Sequence, residues 1–286
     1  MMRWVGFGLV VLLVLGSALP LLAWGSATHA ALAVGIAQEQ GRSFGGRYYL
    51  LQAAYGAAAP DLAWFASEPL RTNLGNATHY EPGCREVWDL ADPHSRIERS
   101  FAFGWLSHND SWAADNFAHN INPLSDPLVA PGYIVARGNA LEAQYGVPDY
   151  LSDQYVEAAV DLLLDQQMPG LKLGSLLSSA ARKRDGRIPD LLVKAYADVP
   201  GAGSLNIRSL ETTFRAGMIT YGAGLARPTG ADDAAFAQSM AVYFGVGPVE
   251  SAQYLAAAKS VCQEPSAHYL GALEATILLV AGGPWP

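Results

Sequence analysis

Apolar positions recur every three to four residues along most of this chain, in runs separated by Gly, Pro and Asn. That period predicts amphipathic helices, because a half-buried strand would alternate apolar and polar positions instead. Thr28 is the expected N-cap of a first helix, with Ala31, Leu32, Val34 and Ile36 as its apolar face and Gly41 as its end. A second helix is expected over Arg47 to Ala57, broken by Pro60. The second half predicts seven more, over Tyr150 to Gln167, Leu171 to Lys183, Ile188 to Ala197, Ser204 to Ala223, Ala231 to Phe244, Pro248 to Val261 and Ser266 to Val280. Arg71 to Ser95 lacks the period and holds Gly75, Pro82, Gly83 and Pro93, so it reads as a loop bordering a site.

The stretch Phe101 to Asn120, FAFGWLSHNDSWAADNFAHN, is expected to form one helix around which the rest is organised. At about 100° per residue, His108 and Asp115 return to nearly the same face, and His119 follows one turn later. Phe103, Leu106, Ala113 and Phe117 supply the opposite, buried face. A single such histidine is ordinarily a satisfied core group, but two imidazoles and a carboxylate on one stripe are ligand types that zinc takes. The seven-residue spacing puts the backbones of His108 and Asp115 about 10 Å apart along the axis, so long side chains or a helix irregularity must bring them together.

Composition agrees with a helical protein. Of 286 residues 51% are hydrophobic and 15% charged, Ala and Leu are abundant, and β-branched runs are few. The net charge of -8 argues against a surface that coats nucleic acid, though not against nucleic acid as a substrate. Cys84 and Cys262 are too few for a cysteine-rich zinc site, and their separation leaves open whether they pair. Residues 1–23 have the form of a signal peptide: a positive start at Arg3, an apolar stretch from Val5 to Leu15, and small residues with Pro20 before Ala23. Cleavage after Ala18 or Ala23 fits, and an uncleaved anchor is the alternative, since Val5 to Ala23 is uncharged and near spanning length. Removal after Ala23 is preferred. It would leave Trp24 with a free amine and carbonyl that can chelate a metal, one helical turn from His29.

With WGSATH at Trp24 to His29, GAAAPD at Gly56 to Asp61, ATHY at Ala77 to Tyr80, FGWLSH ending at His108 and AADNFAH ending at His119, the first half of the chain resembles the zinc-dependent phospholipase C superfamily. That superfamily includes the amino-terminal domain of glycosylphosphatidylinositol-specific phospholipase D and, more distantly, the fungal zinc-dependent single-strand nucleases. The resemblance implies an all-α, single multi-helix domain over residues 24–286 around a zinc cluster. It implies a first zinc held by Asp61, His79, His108 and Asp115, a second held by Trp24 and His29 sharing Asp115, and room for a third at His119 and Glu142. Two departures stand out. The family's closing His stands four residues before an acid, where this chain has Gly138 before Glu142, and the family spaces the helix His and Asp by four rather than seven. His94 and Glu98 have the closing spacing but come too early in the chain.

On the family's pattern the implied activity is hydrolysis of phospholipid or a related phosphodiester outside the cytoplasm, with Asp61 as the base. A nuclease-like phosphodiesterase, favoured by the Trp24 to His29 spacing, and a zinc-binding exoprotein without turnover are the alternatives. The basic cluster Arg182, Lys183, Arg184 and Arg187 reads as a solvated helix end that could also touch anionic lipid. His268 reads as a hydrogen-bonding residue outside the site.

Overall fold

The computed structural model describes residues 25–120, 131–226 and 232–286, and every regular element among them is helical. The signal-like segment 1–23 and the metal-ligand assignment of Trp24 lie outside the described residues. The first half comprises α1 (Ser26–Glu39), α2 (Arg47–Ala58), a 3₁₀ segment Ala59–Phe65, α3 (Leu70–His79), a 3₁₀ turn Gly83–Arg85, α4 (Glu86–Leu90), α5 (Arg96–Leu106) and α6 (Ala114–His119). The second half adds α7 (Tyr133–Tyr145), α8 (Asp149–Gln167), α9 (Leu173–Arg182), α10 (Ile188–Tyr196), α11 (Gly203–Leu225), α12 (Asp232–Phe244), α13 (Pro248–Cys262) and α14 (Tyr269–Ala281). The described parts share one continuous apolar core. No described helix is long and apolar enough to cross a membrane, and Cys84 and Cys262 are both buried as free thiols.

The central contact is α2 against α5. Gly56 packs on the Phe101 carbonyl and Gly104 on the Ala53 carbonyl; a Cβ at either position would collide with backbone, and one at Gly104 would also stand 2.7 Å from the Ala57 nitrogen. Missing side chains on both helices therefore allow backbone-to-backbone approach. Rings seal the layer: Tyr55 lies 6.0 Å from Phe101, and Trp105 stacks on Tyr196 at 5.6 Å.

Two expectations are corrected. Phe101 to Asn120 is not one helix: α5 stops at Leu106 and α6 begins at Ala114. Asn109 causes the break, donating from Nδ2 to the Leu106 carbonyl at 2.7 Å and accepting at Oδ1 from the Ser111 and Trp112 amides at 2.9 and 3.0 Å. A side chain that competes for backbone partners in this way ends the helical ladder. The chain then closes a loop, with the Ala114 and Asp115 amides donating to the Ser107 and His108 carbonyls at 3.1 and 2.7 Å. Arg71 to Ser95 is not a loop either, because it carries most of α3 and all of α4. The buried face of α3 is Leu74, Gly75, Thr78 and His79, a helical spacing with only one large apolar residue in it. Its period was therefore invisible in hydropathy.

The α2–α5 contact generates a test. Gly104→Ala should destabilise the fold by about 1–3 kcal/mol, the usual cost of overpacking, and should lower metal content as well, since α2 also carries the Ala57 carbonyl that holds His108. Thermal unfolding and metal analysis of the same sample check both; an unchanged melting temperature would remove the contact from its central place.

Candidate metal centre

Five ligand-type side chains from separate elements meet in the core. His29 sits in the first turn of α1, Asp61 in the 3₁₀ segment after α2, His79 at the last residue of α3, His108 just past the end of α5, and Asp115 in the first turn of α6. All five are at most 3% exposed. Pro60 opens the 3₁₀ segment and tightens the turn that points Asp61 inward. Thr28 is not the N-cap of α1, which begins two residues earlier; the free amides of the first turn are taken by Asp161 of α8 instead. Asp161 accepts from the Ala27 and Thr28 amides at 3.0 and 2.7 Å, from the Thr28 hydroxyl at 2.6 Å and from Tyr221 Oη at 2.8 Å. This buried carboxylate anchors the turn that carries His29.

The imidazoles are oriented from behind. His108 Nδ1 donates to the Ala57 carbonyl at 2.7 Å, and His79 Nδ1 faces the Gly75 carbonyl at 3.1 Å and the Thr78 hydroxyl at 2.8 Å. A proton held on Nδ1 in this way leaves each Nε2 lone pair directed into the centre, the arrangement found behind metal-ligating histidines. His79 Nε2 and His108 Nε2 are 3.2 Å apart, and their distances to Asp61 Oδ1 are 3.4 and 3.6 Å. Asp115 divides its oxygens: Oδ1 faces His29 Nε2 at 3.6 Å, while Oδ2 faces His79 Nε2 at 3.9 Å and His108 Nε2 at 3.7 Å. His29 and His108 stack with ring centroids 4.0 Å apart.

These atoms form two groups that could hold a metal ion, His29 with His108 and Asp115, and Asp61 with His79 and His108, each with its ligand atoms within 4.8 Å of one another. The donor set fits an ion. Most of the separations exceed hydrogen-bonding distance but match the edges, roughly 3.3 Å, of a tetrahedron whose ligands lie about 2.0–2.1 Å from its centre. Among the described residues His29 Nε2 and Asp115 Oδ1 have no hydrogen-bond partner despite full burial, a costly state unless something else satisfies them.

Electrostatics agree with that reading. Burial pushes His29 down to about 4 and His108 well below its ordinary value, His29 and His79 adding repulsion at His108. Burial also opposes charge on His79, but its hydrogen bond to Asp61 and the charges of Asp115 and Asp61 outweigh this and bring it up to about 9. Burial lifts Asp61, and lifts Asp115 to about 7 against the favourable charge of His79. The centre holds too many carboxylates for its own protons.

Glu142 is exposed on α7 and belongs to neither group. The carboxylate that reaches His119 is Glu157 of α8, with Oε1 3.5 Å from His119 Nε2. Glu157 is fully buried, neither of its oxygens has a hydrogen-bond partner among the described residues, and burial raises its pKa well above the ordinary value. Asp153, four residues earlier, packs against Gly138, where a Cβ would collide with its carboxylate. Gly138 thus makes room for the Asp153 carboxylate. The signal was present in the sequence: Asp149, Asp153, Glu157, Asp161 and Asp165 recur every four residues through an otherwise apolar helix. Asp110, missed likewise, has its carboxyl raised to about 8 by burial and by Asp115. His94 is exposed and Glu98 lies in the first turn of α5 behind its Ser95 cap. His268 accepts from the Leu270 amide at the start of α14.

The fold and the centre together define an all-helical protein with a buried His and carboxylate cluster able to hold metal. No protein-family model, curated protein or solved structure matches the chain.

The raised groups set a pH dependence for the metal-free protein. His79, at about 9 against an ordinary 6.5, contributes stability that is complete below pH 6.5 and lost as pH rises through 9. Asp115, lifted from 3.8 to about 7, also favours the fold when protonated, a contribution complete below pH 3.8 and lost earlier, as pH rises through 7. His29 acts only below 6.5. Metal-free protein should therefore lose stability between pH 6.5 and 9, by at most about 1.4 kcal/mol per proton per pH unit. Zinc must displace these protons, so the rise in melting temperature on adding it should grow over that window. Unfolding curves with zinc and with chelator check this, and a zinc effect that shrinks with pH would exclude these residues as ligands.

Proposed function

We propose that the chain is an exported zinc-dependent phosphodiesterase of phospholipase C type, as the resemblance to that superfamily implies. One observation carries the reading: Asp115 turns Oδ1 to His29 and Oδ2 to His79 and His108, the disposition of a carboxylate shared between two ions. His29 and Asp115 would hold one, Asp61, His79, His108 and Asp115 the other, and His119 with Glu157 offers a third position. Bound zinc would supply Lewis acidity and a water acidic enough to lose its proton near neutral pH, the chemistry that phosphodiester hydrolysis needs. Asp61, buried beside His79 and His108, would be the group placed to take that proton, as the resemblance implies. Tyr80, half exposed at the end of α3, and Trp112, whose indole donates to Glu81 at 3.0 Å, offer flat surfaces beside the centre for a substrate head group. The apolar stretch and small residues within 1–23 support export.

A zinc-binding exoprotein without turnover is the second reading, favoured by Gly138 standing where the family has its closing imidazole and by the seven-residue spacing of His108 and Asp115. Zinc per chain, measured beside hydrolysis of phosphatidylcholine and of single-stranded DNA, separates the readings. The proposal expects two or three zincs and release of a phosphorylated head group. His108→Ala or Asp115→Ala should abolish both metal and activity, and His268→Ala should leave both within about twofold, as for a group distant from the chemistry. Cleavage of DNA alone would favour the nuclease reading, and full zinc with neither activity the non-catalytic one.

A further inference from the structure

At the end of α5 remote from the metal centre, positive charge collects without an answering acid. Arg42 follows α1, and Arg96 and Arg99 lie in the first turns of α5; with Phe44, Trp88, Phe103 and Pro286 they line a cleft of about 390 Å³. None of the three guanidiniums forms an ion pair among the described residues, and Asp89, whose charge reaches Arg99, is paired with Arg85 at 3.6 Å. The arginines are held in place by aromatic rings and carbonyls instead. Arg99 lies 3.6 Å from the Trp88 ring centroid and donates to the Trp88 carbonyl at 3.0 Å. Arg96 lies 4.6 Å from the Tyr49 ring and donates to the Phe44 carbonyl at 3.2 Å. Arg42 lies 5.4 Å from the Phe103 ring. Gly45, with φ of +67°, passes so close to Arg96 that a Cβ there would occupy the guanidinium's position.

A guanidinium has five N–H donors, and these three spend few of them on protein acceptors. Surface arginines ordinarily find carboxylates, and in a chain of net charge -8 acids are in excess. Three fixed guanidiniums without one, around a concavity with apolar walls, match the requirements of an oxyanion borne on an apolar or flat group. We propose that this cleft is a second ligand site, built for a phosphate-type oxyanion and separate from the metal centre. Arg99 stands seven residues, about 10 Å along the axis, before the end of α5 at Leu106, and His108 lies beyond that end. Burial and the neighbouring Arg42 charge both pull the Arg99 pKa down, a strain that a bound anion would relieve.

Inorganic phosphate is the probe, titrated calorimetrically into the full chain. Wild type and Asp115→Asn should bind it saturably, while the double variant Arg42→Gln, Arg99→Gln should bind roughly tenfold or more weakly, the scale of losing a charge-assisted hydrogen bond. Equal binding by the double variant, or binding lost only in Asp115→Asn, would overturn the site. Labelling of wild type with phenylglyoxal needs no variant to fold: phosphate should slow modification of Arg42, Arg96 and Arg99 and leave exposed Arg182 unchanged, and absence of that protection would also overturn it. Phosphatidylcholine vesicles with and without phosphatidate identify the source. Retention only on phosphatidate, lost in the double variant, assigns a lipid head group; phosphate binding without retention assigns a soluble phosphate compound.

Discussion

The structure depends on how a set of buried carboxylates is neutralised. Asp61, Asp115, Glu157 and Asp161 are all at most 3% exposed, and none pairs with a lysine or arginine among the described residues. An unpaired buried carboxylate costs several kcal/mol. Asp161 avoids the cost through four hydrogen bonds. Asp61 and Asp115 lie among imidazoles with Trp64 and Asp110 as their further neighbours, Glu157 faces His119, and two of the imidazoles, His29 and His108, are held neutral by burial. Without a metal, protons must settle on His79, Asp115 and Glu157. A divalent cation removes that requirement, so stability and ligand binding are two aspects of one constraint.

Helix α8 shows how the scaffold distributes this load. Its acids at four-residue spacing wind slowly around the helix, so that four of them take different tasks. Asp153 fills the space left by Gly138, Glu157 reaches His119, Asp161 ties down the turn carrying His29, and Asp165 accepts from the Gly174 amide at the start of α9 at 3.2 Å. A helix from the second half of the chain, where ligand types are otherwise scarce, thereby fixes two histidines from the first.

Helices of the second half were legible because their apolar faces are long and their ends carry Gly or Pro; α10 to α13 fall within a few residues of expectation. The five central ligand-type side chains were legible through motif order. What could not be read was geometry set by polar side chains. Asn109 turned an apparent helical stripe into a loop, and that loop solves the spacing problem: His108 and Asp115 meet because the chain folds back between them. Helix α3 escaped notice because a face of Leu, Gly, Thr and His has the right period in the wrong chemistry. Glu142 is the acid the family's closing pattern points to, but the carboxylate that reaches His119 is Glu157 on α8, which packs beside α7.

Helix α5 joins the two sites, and its polarity suits both. The carboxyl-terminal end of a helix carries partial negative charge and the amino-terminal end partial positive charge. His108 lies immediately beyond the first of these, where a cation is favoured, and Arg96 and Arg99 lie at the second, where an anion is. The fit extends to the packing. Gly104, which lets α5 approach α2, lies one residue past Phe103, which forms a wall of the cleft, and the helix it meets carries the carbonyl that orients His108. A shift of α5 along its axis would thus move both sites together. Whatever occupies the arginine cleft acts on a rigid element whose far end leads directly to His108 of the candidate metal centre, and that is a physical route by which occupancy of one site can alter the other.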